Sequence, residues 1–392
     1  PRDDRSVTEV AGEPRSALSI PEGVAYLNTA YLGPLPRTAV EAGWCALDRK
    51  AQPWLTVVDD FFLPTEQFRS AVADLLVADA DGVAVTPAVS YGVSSFAANV
   101  GLAPGSVVLV PGDEFPSGLL PWRARAAHAG AEVIEVGPDG FDRTGPMLAA
   151  IDRLGDRVAL VSAPPGHWTD GTRFDLVALG TAARRVGAAL VVDVSQALGA
   201  EPFSVAEVQP DLVVGVLYKW LLGPPSMAFA WFAPAWRDGE PLEHSWMGRA
   251  GADDFAGLTA PSDRYRDGAR RFDAGQSGHL GQMPVALASL RLVTEWDPAR
   301  TAVHSRSLTD RIAAGAADLG FAIAPTAARS PHLIGLGLAD TGLEPAALAA
   351  HLADDRVHVS VRGTSVRVSA HRFNDDGDVE RLLASLARAV GR

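Results

Sequence analysis

The chain has 392 residues, 47% hydrophobic and 21% charged, the composition of an ordinary globular protein with length for two packed cores. A net charge of −13 with no Lys/Arg-rich run excludes a nucleic-acid surface, which needs clustered positive charge. A single cysteine excludes a disulfide framework and any multi-cysteine metal site; with no apolar run of about 18 residues and no signal-like N-terminus, a cytoplasmic chain off the membrane and without a metal is expected.

From residue 81 short apolar, β-branched runs alternate with longer amphipathic ones, the pattern of a parallel sheet with crossover helices. Strands are predicted at 83–85, 106–110, 131–136, 158–162, 188–193, 211–216 and 228–232, and helices at 89–100, 119–129, 147–154 and 176–186. The Gly/Arg/Asp-rich stretch 237–271 has no clear periodicity, and a loop of that length is expected to serve the active site or a subunit contact. Beyond residue 276, helical patterns at 281–296 and 301–319 lead into a smaller α+β unit with strands at 333–338, 357–361 and 365–369 and a last helix at 379–390. The expected organisation is an N-terminal arm (1–25), a large domain (26–275) and a small C-terminal domain (276–392).

Of the 34 Lys plus Arg, 32 are arginine; the two lysines are Lys50 and Lys219. Open α/β sheets bind ligands at the carboxyl ends of their strands, and Lys219 lies just past the apolar run Leu212-Val213-Val214-Gly215-Val216. An amine set among Leu217, Tyr218 and Trp220 is desolvated, which lowers its pKa and suits it to Schiff-base chemistry; a lysine snorkelling into water is the alternative. Lys50, among polar neighbours, reads as exposed. Asp193 ends the run at 188–193, either as a partner for something positive or as a helix N-cap. Together the two residues suit pyridoxal 5'-phosphate, which needs a lysine for its aldehyde and a carboxylate to keep its pyridine nitrogen protonated.

Further motifs stand in order along nearly the whole chain: Tyr26-Leu27-Asn28-Thr29-Ala30, Gly33-Pro34-Leu35-Pro36, Val85-Thr86-Pro87-Ala88-Val89-Ser90-Tyr91, Glu114-Phe115-Pro116-Ser117, Asp193-Val194-Ser195-Gln196, Tyr218-Lys219 and Val366-Arg367-Val368-Ser369-Ala370-His371-Arg372-Phe373-Asn374. With these the chain resembles the class V aminotransferase-like group of fold-type I pyridoxal phosphate enzymes, which includes cysteine desulfurases, kynureninase, isopenicillin N epimerase and carbon-sulfur lyases. The resemblance implies an α/β fold: a large domain with a mostly parallel seven-stranded sheet and helices on both faces, and a smaller C-terminal α+β domain. It also implies an amino acid substrate and a homodimer with shared active sites.

Residue roles follow from the resemblance. The turn Ala88-Val89-Ser90 would hold the cofactor phosphate at a helix N-terminus, although Pro87, Ala88 and Val89 stand where the family has a glycine and threonines, and Ser90 also reads as an ordinary cap. Phe115 would stack on the pyridine ring, with Tyr91 as a weaker candidate and a core aromatic as the plain alternative. Gln196 would donate to the phenolic oxygen, beside Ser195, and the Tyr218 hydroxyl would bond the phosphate, with Val216 and Leu217 replacing the usual polar neighbours. His167 and Thr169 match a polar contact to cofactor or substrate; a structural loop histidine is the alternative. Gln276 and Ser277 resemble a segment reaching the phosphate of the other subunit, where a threonine is usual. Arg367 would clamp the α-carboxylate, with Asn28, Tyr91 and His371 beside the substrate.

For the reaction, a cysteine desulfurase needs a sulfur-accepting cysteine in the small domain, whereas Cys45 lies near the N-terminus and reads as a small packed hydrophobe. That leaves a β-lyase cutting Cβ–S or Cβ–Cγ, an aminotransferase or epimerase, and a non-catalytic cofactor-binding protein. The Phe115 and Tyr218 matches favour the lyase.

Overall fold

The computed structural model describes residues 14–338 and 341–391, so residues 1–13 of the expected arm lie outside it. In chain order come β1 (Ala25–Tyr26), α1 (Arg37–Ala51), α2 (Asp59–Leu76), β2 (Val83–Thr86), α3 (Val89–Asn99), β3 (Val107–Pro111), α4 (Pro116–Ala129) and β4 (Glu132–Val136). They are followed by α5 (Thr144–Leu154), β5 (Val158–Ser162), α6 (Leu176–Arg185), β6 (Ala189–Asp193), the single turn α7 (Val205–Val208), β7 (Leu212–Val216) and β8 (Ala228–Phe232). The remainder is α8 (Met283–Trp296), α9 (Pro298–Asp318), β9 (Leu333–Gly337), α10 (Pro345–Asp354), β10 (Val357–His358), β11 (Ser360–Arg362), β12 (Ser365–Ser369) and α11 (Asp376–Ala389).

The seven-stranded sheet has the order β2-β8-β7-β6-β5-β3-β4. All its pairings are parallel except those of β8, which runs antiparallel to both β7 and β2. No helix separates β7 from β8, so the chain turns back rather than crossing over. Every residue of β3, β7 and β8 is buried, because helices cover both faces. Along β3 the side chains alternate between two cores, Val107 and Leu109 in one and Val108 and Val110 in the other. Each such side chain is worth roughly 1.5–3 kcal/mol.

From β3 the chain moves outward to the edge strand β4, whereas from β5 it moves through β6 and β7 the other way. The strand order therefore reverses between β3 and β5, the place where a crevice opens beyond the carboxyl ends.

The predicted strands and helices of this part fall on observed ones, with ends displaced by a few residues. Two long helices, α1 and α2, were not expected: α1 buries only Ala39, so its apolar stripe is weak, and α2 carries Pro64 in its interior. Helix α8 packs on α1 and α2 within the large core, and Leu308, Ile312 and Ala316 of α9 begin the smaller one. The texture changes at 276 because the irregular stretch that follows β8 ends there, ahead of the long helix α8 that the large core retains.

The smaller unit is a sheet of order β11-β12-β9 with α9, α10 and α11 around it, and a two-stranded pairing of β1 with β10. The single strand expected at 357–361 is two: β10 pairs with β1, and β11 turns to pair with β12. Stretch 237–271 contains only short 3-10 turns and an isolated Arg249–Tyr265 bridge. It is tied to α2 by Arg270, whose guanidinium meets Glu66 at 2.6 Å, while Arg69 of α2 meets Asp273 at 3.0 Å. No helix among the described residues is long and apolar enough to cross a membrane.

Candidate functional site

The carboxyl ends of β3, β5, β6 and β7 surround a cleft of about 590 Å³, counted out to its mouth in open solvent. Pro87, Ala88 and Val89 line it from the start of α3, and Glu114, Phe115 and Ser117 from the β3–α4 connection. Pro164, Gly166 and Trp168 follow β5; Asp193, Ser195 and Gln196 follow β6; Val216, Tyr218 and Lys219 follow β7.

Lys219 is held by a loop with little room to move. The backbone N–H of Gly33 donates to the carbonyl of Tyr218 at 2.7 Å, and a Cβ at Gly33 would sit 2.1 Å from the Lys219 carbonyl oxygen. That close approach explains the glycine ahead of Pro34. The Lys219 Nζ lies 5.4 Å from the centre of the Phe115 ring and 5.9 Å from that of Tyr218. Burial pushes the amine down to about 8; Asp193 opposes the shift, and the charges of Arg367 and Arg362 add to it. The snorkelling alternative is therefore replaced by a buried amine, while Lys50 is exposed.

Asp193 sits at the end of β6, its Oδ1 accepting the N–H of Ser195 at 2.8 Å. No helix starts there, so it closes a local turn and is not a helix cap. Burial raises its pKa, and Lys219 is the one cation that opposes the rise. Glu114 shares this environment. Its Oε1 folds back to accept the N–H of Phe115 at 2.6 Å, and burial, then the charge of Asp193, push its carboxyl up to about 8. The sequence reading quoted Glu114 without giving it work; its position just past β3 was the available signal.

Phe115 meets the Trp168 indole edge to face, with centroids 5.3 Å apart. Trp168, also missed, donates its Nε1–H to the Asp113 carbonyl at 2.7 Å and accepts Arg367 Nη1–H on its own carbonyl at 2.7 Å. Arg367 is buried, with Nε and Nη2 lacking any partner among the described residues. Arg362, the third residue missed, has an unpartnered buried Nε and a guanidinium 5.6 Å from the Trp168 ring centre. Its signal was the period-2 alternation of two adjacent strands.

Other expected residues divide. Ala88 and Val89 present the N-terminus of α3 to the cleft, whereas Ser90 is not among the lining residues. Ser195 lines the cleft with its Oγ accepting the Val216 N–H at 3.3 Å. Gln196 donates to the Ala30 carbonyl at 3.0 Å and accepts from Trp220 Nε1 at 2.9 Å, which leaves one amide hydrogen for a ligand. Tyr218 lines the wall, its phenol held protonated by burial and then by the charge of Asp193.

Several expectations are corrected. His167 and Thr169 bond each other at 2.6 Å, and His167 Nε2 donates to the Gly112 carbonyl at 3.1 Å, so both serve the loop rather than the cleft. Burial, then the charge of Arg143, push His167 down to about 4. His371 stacks between Trp220 and Phe373, with Nε2 on the Trp220 carbonyl and Nδ1 accepting the Arg372 N–H, and is spent on packing. The side chain of Asn28 bridges Val359 and Ser360 and joins the small sheet to the first segment. Tyr91 is not among the residues lining the cleft, and burial, then the charge of Glu243, hold its phenol protonated. Gln276 is exposed and Ser277 is buried beside Thr65; neither lines this chain's own cleft, and the contact expected of them is to the phosphate of another subunit. Cys45 is exposed because α1 buries so little of itself.

The residues present fit pyridoxal 5'-phosphate. A desolvated amine, a carboxylate in want of a cation, an aromatic wall and a helix N-terminus meet in one cleft, and behind its Trp168 wall lies the buried Arg367 guanidinium with two unpartnered N–H groups. The family model for aminotransferase class-V matches residues 56–389. An uncharacterized aminotransferase of Bacillus subtilis is 25% identical over 92% of each chain. A kynureninase of Deinococcus radiodurans is 28% identical over 76% of this chain and 72% of its own. Among solved structures, a cysteine desulfurase from Thermococcus onnurineus superposes with a TM-score of 0.82 at 20% identity, covering 96% of this chain and 97% of that one.

Proposed function

This chain belongs to the class-V aminotransferase family and takes pyridoxal 5'-phosphate as its cofactor, and on that premise we propose that it is a β-lyase that cuts a Cβ–S or Cβ–Cγ bond of an α-amino acid. The observation that carries the proposal is a base and an acid in one cleft: the desolvated amine of Lys219 and the protonated carboxyl of Glu114. An elimination needs both, one to take a proton from Cα and one to give a proton to the departing group.

The cofactor supplies an electrophilic aldehyde and, with its ring nitrogen protonated, a sink for the electron pair left at Cα. In this proposal Lys219 would hold the cofactor through its Nζ amine and, once free of it, would take the Cα proton. Asp193 would hold the ring nitrogen in its protonated form. Ala88 and Val89 turn backbone N–H groups toward the phosphate, and Phe115 covers the ring. Arg367 fixes the α-carboxylate with its free Nε and Nη2, which sets which bond at Cα stands ready to break. For a Cβ–S bond Glu114 would give its proton to the departing sulfur; for a Cβ–Cγ bond water would add to the Cγ carbonyl, the acyl group would leave as a carboxylic acid, and the proton would go to Cβ.

The same proposal sets aside a persulfide-forming desulfurase, since the sequence holds one cysteine and Cys45 is exposed on α1 away from the cleft. We also propose a homodimer whose 276–277 segments complete the partner's phosphate site, and a large and a small domain joined through α8 and α9. The test is incubation with amino acids bearing β leaving groups and no keto acid. Release of pyruvate or alanine supports the lyase; strict dependence on a keto acid makes the protein an aminotransferase, and inversion at Cα without cleavage makes it an epimerase.

A further inference from the structure

Two guanidinium groups, Arg367 and Arg362, stand against Trp168 of the cleft wall where a single α-carboxylate calls for one. Strands β11 and β12 pair with Ser360 opposite Arg367 and Arg362 opposite Ser365, so positions 360, 362, 365 and 367 share one face of the hairpin. Both arginines meet Trp168, Arg367 through its carbonyl and Arg362 across its ring, and Trp168 lines the cleft. Both charges act on Lys219.

Among the described residues no carboxylate pairs with either arginine; burial, then the charge of Arg362, lower Arg367 to about 9, and burial lowers Arg362, with only the Tyr31 phenol opposing it. Unpaired buried N–H groups are costly, and two like charges on neighbouring strands repel. The two vacancies also differ in shape. Arg367 leaves Nε and Nη2 unpartnered, the parallel pair of the guanidinium fork, which one carboxylate fills with two bonds. Arg362 has its Nη1 on the Val361 carbonyl at 2.6 Å and its Nε unpartnered, a place for a second anion.

Resting on the reading of the cleft as a site for an α-amino acid, we infer that the substrate carries two acid groups: the α-carboxylate on Arg367 and a side-chain carboxylate on Arg362. Arg362 is then the specificity-determining residue, and Trp168 is the cleft-lining residue that both arginines meet. Both acid groups would replace water with charge-assisted hydrogen bonds from fixed donors.

The experiment compares isosteric pairs on the cofactor-loaded protein: L-glutamate against L-glutamine and L-aspartate against L-asparagine, with affinity read by calorimetry and by the spectrum of the bound cofactor. The wild type is expected to bind at least one acid roughly 10- to 100-fold more tightly than its amide. Arg362→Gln is expected to reduce that preference to within about threefold while amide affinity holds, and Arg367→Gln to weaken all four ligands alike. A wild type that does not prefer the acids overturns the inference, as does an Arg362→Gln protein that loses acid and amide affinity equally, which would put both arginines on the α-carboxylate. If the wild type takes up no cofactor, or takes it up and responds to none of the four, the amino-acid reading itself falls and this inference with it.

Discussion

Replacing Glu114 with Gln separates its chemical work from its cost to the fold. The carboxyl is buried and pushed from 4.5 to about 8, first by burial and then by the charge of Asp193. Below pH 4.5 it is protonated in folded and unfolded chains alike and has no effect on the balance. Between 4.5 and 8 the unfolded chain ionises it freely and the folded chain cannot, so stability falls as pH rises; above 8 the loss is complete. At pH 7 the loss is at most about 3 kcal/mol, from roughly 1.4 kcal/mol per pH unit. A Gln side chain keeps the oxygen that accepts the Phe115 N–H and does not ionise. Urea unfolding of the cofactor-free protein at pH 5 and pH 8 is the assay: the variant should exceed the wild type by no more than about 1 kcal/mol at pH 5 and by about 2–4 kcal/mol at pH 8. The same variant should lose roughly 100-fold or more in β-elimination, since an acid that donates to the leaving group contributes about that much. A stability difference that is equal at the two pH values, or one that favours the wild type at pH 8, would refute the placement of this carboxyl.

Three further outcomes follow from the structure. Gly33→Ala puts a Cβ 2.1 Å from the Lys219 carbonyl oxygen and should cost about 1–3 kcal/mol by overpacking and weaken cofactor uptake, read by thermal melting and pyridoxal phosphate titration; unchanged uptake and melting would contradict the clasp. Glu66, partly buried, is brought down to about 2 by Arg270, Arg69 and Arg266, so the stability it lends is present above about pH 4.5 and lost as pH falls toward 2. Given its partial exposure, Glu66→Gln should cost about 1 kcal/mol at pH 7 and nothing near pH 2 in urea titrations; an equal cost at both would contradict the network. Cys45→Ser should leave sulfur release from cysteine or cystine within about twofold of wild type, and a fall to background in a sulfide assay would make Cys45 the sulfur acceptor.

The sheet was legible because strands buried on both faces need unbroken apolar runs, as in Leu212–Val216, and because helices between them must carry one apolar face. α1 was not, since a helix with one buried residue has no stripe to read. Lys219, Asp193 and Phe115 lie past the carboxyl ends of β7, β6 and β3 and line one cleft, each beside an apolar run that fixes its place, whereas Arg367 lies within β12 of the small sheet, behind Trp168. Glu114, Trp168 and Arg362 depend on how a side chain folds back, how a loop closes and how a hairpin is registered, which appear only once the chain is folded. His167, Asn28 and His371 show the opposite failure. A motif match locates a residue along the chain, but ring nitrogens and amides turn to whichever carbonyl or hydroxyl lies nearest, and here those belong to the protein.

The central claim is that Lys219 carries the cofactor in this cleft. Borohydride reduction of the cofactor-loaded protein fixes pyridoxal phosphate to the amine that holds it, and mass mapping of the digested peptides then reads which lysine that is. The chain offers two, the buried Lys219 and the exposed Lys50. The pyridoxyl group is expected on the peptide containing Lys219 and absent from that containing Lys50; a label on Lys50, or on neither, would contradict the account.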